Sequence, residues 1–516
     1  MTTNKRYRNP VISGFYPDPS VIRVGDDDFY LVTSSFEYFP AVPIFHSKDL
    51  INWEQIGSVL TREDQVNLSK SKSSQGIYAP TLRYNDGTFY MIVTDVMGHG
   101  NFYVSAKEPR GPWSAPIKIP YGNIDPSLMF DEDGKVYVSV QNGEGLGSHI
   151  IQYEIDIETG EALTEPVVVF HGDGGVWTEA PHLYKINGMY YMLTACGGTA
   201  EDHRAIIGRS ANPYGPFERL EHPILTHNRL KDHILQNLGH ADLVDDKHGN
   251  WWAVFLGIRS INQEYGHLGR ETFLAPVTWT EDGWPMIDNN EGTVDVIMET
   301  DALLGESILL ESVTTRDEFD DSRLAPTWFF LRTNPVDTYS LTERSSWLQM
   351  IGNAYNLNDI ATPAFICRPQ QHHNMEFNTL LDFNPVVDGE EAGIAVRLNE
   401  YAHYEIGLKC IDGKRFVVAT QTINGKTTET ARVETGMGPL HLSIKANEET
   451  YLFRFASIEH EWIEIAKASA AFLAPEKNGG YATTFTGVCL GMYATGNGEE
   501  STTPAYFDWV SYTGSF

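Results

Sequence analysis

The chain has 516 residues, with 69 acidic side chains against 37 Lys and Arg and a formal charge of −32. Such a field repels nucleic acid and anionic membrane surfaces, so neither is an expected partner. Aromatic residues make up 12% of the chain, too many for a disordered acidic polymer and enough to fill several large cores.

In chain order, the opening stretch Met1–Pro10 has no apolar run and no small-residue cleavage site, so no signal peptide is expected. No stretch of 18 apolar residues follows, and the chain reads as soluble and cytoplasmic. Next comes a repeated pattern: a turn of Asp, Asn or Gly, then a strand of aromatic and β-branched residues. Copies begin at Asp26, Asp86, Asp133, Asn187 and His248, with anchoring aromatics Tyr30, Tyr90, Tyr137, Tyr191 and Trp252. The anchors are 60, 47, 54 and 61 residues apart. Periods near 50 residues, each holding several strands, are the mark of propeller blades. Five copies predict a five-bladed β-propeller. Ser47–Trp53, Gly111-Pro-Trp113 and Gly215-Pro-Phe217 fit turns to outer strands.

The repeat also locates the chemistry. Twelve residues before the anchors stand Asp18, Tyr78, Asp125, Glu179 and His240. Equivalent positions in five blades form a ring about the axis, which puts three carboxylates, a phenol and an imidazole around one pocket. Crowded carboxylates repel and burial opposes ionisation, so at least one pKa must rise. Groups held at that cost mark functional sites. Glycoside hydrolysis needs a protonated and an ionised carboxyl group. Glu179, with the longer arm, is assigned as the acid, Asp18 as the base, and Asp125 as the group that orients and tunes Glu179. His240 is a candidate for binding sugar, water or metal. Singly, Asp-Pro-Ser or Glu-Ala-Pro is an ordinary turn; their shared phase in the repeat carries the signal.

The segments Asn9–Ser20, Thr33–Leu50 and Thr178–Tyr184 resemble glycoside hydrolase family 43, in particular its β-xylosidases and α-L-arabinofuranosidases, and the resemblance covers nearly the whole chain. It implies a five-bladed propeller and inverting, single-displacement hydrolysis of small oligosaccharides. The family's base, modulator and acid fall on Asp18, Asp125 and Glu179. Phe36 resembles the aromatic of the terminal-sugar pocket, and Arg270 the arginine that binds that sugar. Similar xylosidases carry Trp where this chain has Tyr78, which leaves xylose and arabinofuranose both open. A sugar-binding propeller without catalysis is disfavoured by the three carboxylates. A retaining, invertase-like enzyme is disfavoured by Pro17-Asp-Pro19 in place of Asn-Asp-Pro.

Beyond about residue 300 the repeat stops. Ala302–Leu304 and Ile308–Leu310 are apolar, Glu311–Asp321 is polar, and the boundary is placed between 311 and 312. Strand-like runs at 394–398, 403–408, 416–420, 451–455 and 505–512 predict a β-sandwich over 312–516. Related xylosidases carry a jelly roll there, whose loop brings an aromatic residue to the site. Phe485 is the best match for it, although a core role is equally open, and a closed mouth would make cleavage exo. Cys196, Cys367, Cys410 and Cys489 are scattered and read as small buried hydrophobes. No cofactor and no catalytic metal are expected. A structural Ca²⁺ held with waters at His240 and Asp242, and a homo-oligomer, are both compatible with the sequence.

Overall fold

The computed structural model describes residues 5–516 except 290, 303, 304, 306–308, 310, 459 and 460. Leu303, Leu304, Ile308 and Leu310 of the two apolar runs therefore lie outside the described residues. Each anchoring aromatic sits in the second strand of a four-stranded antiparallel blade. In the first blade the strands are Ser20–Val24, Asp28–Val32, Ala41–Ser47 and Glu54–Leu60. The others run over Thr81–Lys118, Ser127–Phe170, Glu179–Arg219 and Leu235–Ile287, the fourth with a short extra strand at Leu225–Thr226. The turn segments predicted at 47–53, 111–113 and 215–217 each precede the outermost strand of their blade. Among the described residues, helix is confined to four short 3₁₀ turns, and no helix is long and apolar enough to cross a membrane.

The ring closes through the N-terminal segment. Lys5–Arg8 pairs with Ile297–Thr300, and Asn9 exchanges side-chain hydrogen bonds with the backbone of Leu274 in the fifth blade.

The twelve-residue step has a structural basis. Tyr30, Tyr137 and Trp252 pair with Ile22, Met129 and Val244, four positions after Asp18, Asp125 and His240. Tyr90 and Tyr191 pair with Arg83 and Tyr184, five positions after Tyr78 and Glu179. Where the step before the pair is one residue shorter, the hairpin is one longer, so the sum is conserved. In the shorter group the ring residue itself takes left-handed backbone, with φ of 56° at Asp18, 54° at Asp125 and 49° at His240. In the Glu179 strand the ladder register slips between Glu179 and His182.

The second unit is a sandwich of two antiparallel sheets. One contains Ala505–Ser515, Asn374–Asp382 and Leu440–Ala446 at its centre, with Ser312–Asp317 pairing along Ala505–Ser515. The other runs from Lys426–Glu434 through Glu391–Asn399 to Phe329–Leu331. Its last member comes from the propeller: Tyr38–Phe39 pairs with Phe330 and Leu331. The apolar cores are continuous across this junction. Phe39, Ile44 and Leu82 pack in one cluster with Phe330, Ile394 and Leu442, and Phe36 and Tyr38 in another with Phe329, Phe365 and Cys489. All four cysteines are free and buried, as small apolar residues would be.

Candidate active site

All eight singled-out residues, Asp18, Phe36, Tyr78, Asp125, Glu179, His240, Arg270 and Phe485, line one cavity. It holds about 430 Å³ of empty space, part of it open to solvent. Asp18 and Asp125 are buried, while Glu179 is partly open to the cavity.

The three carboxyl groups are driven apart electrostatically. Burial alone would raise Asp18. Arg270, His240 and Ser34 outweigh it, and its pKa lies below the ordinary carboxylate value. Arg270 Nη1 donates to Asp18 Oδ1 at 3.0 Å, and Ser34 Oγ donates to Oδ2 at 2.5 Å. His240 Nδ1 stands 3.5 Å from Oδ1, but burial pushes its own pKa down, so near pH 7 the guanidinium supplies the positive charge. Among the described residues none donates a hydrogen bond to the Glu179 side chain, and Arg270 opposes its shift only weakly. Burial and then the charges of Asp125 and Asp18 push its carboxyl well above the usual range. Asp125 is pushed up to about 7, mainly by burial and then by Asp18. Its Oδ2 accepts the Ala180 N–H at 3.2 Å, which ties it to the residue following Glu179. One cavity thus biases one carboxyl group toward its ionised form and another toward its protonated form, the pairing that separates base from acid.

Part of the cavity wall is aromatic and is built from both units. Phe36 and Phe485 stack with centroids 5.9 Å apart, and Tyr78 meets Phe485 edge-on at 5.9 Å. Arg270 lies 5.8 Å from the Phe36 ring and 5.7 Å from that of Phe485, within cation–π range, and donates to the Phe485 carbonyl at 3.3–3.4 Å. Phe485 is thereby placed in the cavity wall. The walls converge on Ser74, at φ 63°. Its Oγ accepts the Phe485 N–H at 2.9 Å, its carbonyl accepts the Tyr78 hydroxyl at 3.3 Å, and its N–H donates to Glu37 at 2.8 Å. Glu37 and the sandwich residue Arg397 are both fully buried, 3.9 Å apart. Arg397 also donates to Ser73 Oγ at 3.1 Å, beside Glu400.

Several lining residues escaped the sequence reading. Thr199 Oγ1 accepts from Arg270 Nη1 at 3.0 Å. His203 also lines the cavity. Its Nδ1 bonds the Asn237 carbonyl at 2.9 Å, which leaves Nε2 as a lone-pair acceptor without a hydrogen-bond partner among the described residues. Ser34 and Ser74 were missed as well. None of the four falls on the twelve-residue step, and a lone Ser, Thr or His carries no signal of its own. Asp242, paired with His240 in the Ca²⁺ reading, has its carboxylate occupied by Ser20 at 2.7 Å, Arg83 at 3.0 Å and the Tyr184 hydroxyl. Among the described residues, no group of three or more His, Cys, Asp or Glu side chains is arranged to hold a metal ion.

Comparison with known proteins gives a consistent picture. The sequence model described as Glycosyl hydrolases family 43 matches residues 7–285, and that of the Beta xylosidase C-terminal Concanavalin A-like domain matches residues 316–513. The chain is 43% identical to the non-reducing end alpha-L-arabinofuranosidase BoGH43B of Bacteroides ovatus, over 98% of this chain and 95% of that protein. It is 38% identical to a xylosidase/arabinosidase of Butyrivibrio fibrisolvens, over 98% of each. A solved structure, Bacteroides ovatus Xyloglucan PUL GH43B, superposes with a TM-score of 0.93 at 42% identity, covering 98% of this chain and 99% of that one.

Proposed function

The chain belongs to family 43 of the glycosyl hydrolases, and from the site we propose that it removes one terminal pentose at a time from small oligosaccharides, with inversion at the anomeric carbon. The observation that carries this reading is the opposite displacement of Asp18 and Glu179 from the ordinary carboxylate pKa within one cavity. Glu179, protonated, donates its proton to the glycosidic oxygen as the C–O bond breaks. Asp18, ionised, accepts a proton from the water that attacks the opposite face of the sugar. Asp125 holds Glu179 in its protonated form and fixes the backbone beside it. After the reaction Glu179 is ionised, its proton now on the leaving group, and Asp18 carries a proton from the attacking water; exchange with bulk water resets the pair.

Exo cleavage is supported by the closed aromatic wall, since Phe485 from the sandwich caps the side where Phe36 and Arg270 meet. A neutral sugar also suits the strongly acidic surface. Both β-D-xylose and α-L-arabinofuranose are proposed as the released sugar: one similar protein is named an arabinofuranosidase and another a xylosidase/arabinosidase. Tyr78 offers the sugar a stacking face with a hydroxyl already turned back to Ser74.

Side-by-side rates on the 4-nitrophenyl β-xyloside and α-L-arabinofuranoside, with proton NMR of the newly released sugar, test the proposal. Turnover of at least one with inverted product is expected. Inactivity on both, or a retained anomer, would overturn it.

A further inference from the structure

The acid must face the departing oxygen, so the leaving group passes beside the residues that flank Glu179. Three chain segments meet there. The loop at 143–148 joins the second and third strands of the third blade, the segment 171–178 leads into Glu179, and the loop at 197–203 joins the second and third strands of the fourth blade. All three lie at the end of the propeller where the cavity opens, since Glu179, Thr199 and His203 line it.

The segment before Glu179 is held firmly. Trp177 N–H donates to the Gly145 carbonyl at 2.9 Å, Ser148 Oγ donates to the Thr178 carbonyl at 2.9 Å, and Gly197 N–H donates to the Val176 carbonyl at 2.7 Å. Arg204 grips both oxygens of Asp173 at 2.7 Å. Within this braced segment Trp177 takes left-handed backbone, at φ 53°, and so does Ala180, at φ 52°. A bulky residue in that region is strained and persists only where the surrounding structure holds it, as it does at active sites and ligand clamps.

The indole lies outside the core. Trp177 is 38% exposed, beside Leu146 at 76% and Val176 at 36%. The indole lies along Gly198, where a Cβ would sit 3.6 Å from it, next to the pocket residue Thr199. A cluster of exposed apolar side chains on rigid backbone marks a contact surface.

We infer that Trp177, with Leu146 and Val176, forms the platform on which the first sugar of the leaving group stacks. This rests on the glycosidase reading given above and adds a product-side subsite to it. The occupant is a neutral sugar ring, whose C–H face packs on the indole while its hydroxyls stay in water. A leaving group too small to cover the indole forgoes that contact.

The test uses two substrates with the same terminal sugar, one with a sugar as leaving group and one with a methyl group. The wild type favours the first. Trp177→Ala reduces that preference, measured as the ratio of the two kcat/KM values, about tenfold. Trp177→Phe retains most of it, and Leu146→Ala lowers it to a lesser degree. An unchanged ratio in Trp177→Ala, or an equal loss on both substrates, would overturn the platform. Failure of the wild type to cleave either substrate would instead overturn the glycosidase reading itself.

Discussion

Arg270 Nη1 and Asp18 Oδ1 meet at 3.0 Å although 252 positions separate them in the chain, and both side chains are about 5% exposed. The contact joins the entry to the first blade with the third strand region of the fifth. It fixes the protonation state on which the proposed chemistry depends.

Removing that charge should be visible in the pH profile. Arg270 lowers the Asp18 pKa against the opposing effect of burial, so Arg270→Met lets it rise. The acidic limb of kcat/KM then moves to higher pH. A hydrogen bond to a charged group is worth about 1.5–3 kcal/mol, which corresponds to a loss of about 10- to 100-fold at the optimum. A profile that falls in height without moving its acidic limb would assign Arg270 to sugar binding alone.

Asp125 leads to a stability prediction. Its folded-state pKa of about 7 lies above the unfolded value near 3.9. A group raised in this way stabilises fully below the unfolded value, and its contribution is lost as pH climbs through the folded one. Asp125→Asn does not titrate. Its melting temperature should therefore gain on the wild type between pH 4.5 and 8 and level off above that. The gain is at most about 4 kcal/mol in stability terms. The variant also removes a charge that raises Glu179, so the basic limb of activity moves to lower pH. A melting-temperature difference that stays flat across this range would contradict the assignment.

Ser74 connects the sandwich to the sugar pocket. Ser74→Ala removes the acceptor of the Phe485 N–H and leaves the Glu37 and Tyr78 contacts, which use its backbone. At about 1 kcal/mol for one hydrogen bond, KM rises about fivefold while kcat and both pH limbs hold. Steady-state kinetics at several pH values measure this. A fall in kcat with unchanged KM would place the role of Ser74 elsewhere.

The propeller could be read because each blade repeats one hairpin, and a fixed step from its aromatic anchor reaches the axis whatever the loop lengths elsewhere. Asp18, Tyr78, Asp125, Glu179 and His240 followed from that geometry. Phe36, Arg270 and Phe485 lie off the step and were reached only through resemblance to a family. His203 and Thr199 sit on a loop between the second and third strands of a blade, where no period applies. The link between Glu37 and Arg397 joins residues 360 positions apart, and Tyr38–Phe39 leaves its blade to complete the other unit's sheet. Such contacts are set by packing between the units and leave no local pattern.

The division of labour between Glu179 and Asp18 is tested most directly by comparing leaving groups in Glu179→Gln and Asp18→Asn. An activated dinitrophenyl leaving group needs no proton, whereas a sugar does. Glu179→Gln should lose about 10²–10⁴-fold on a disaccharide and far less on the dinitrophenyl glycoside. Asp18→Asn should lose comparably on both, because water must be activated in either case. Equal losses for the two variants across both substrates, or the reverse pattern, would contradict the assignment of Glu179 as acid and Asp18 as base.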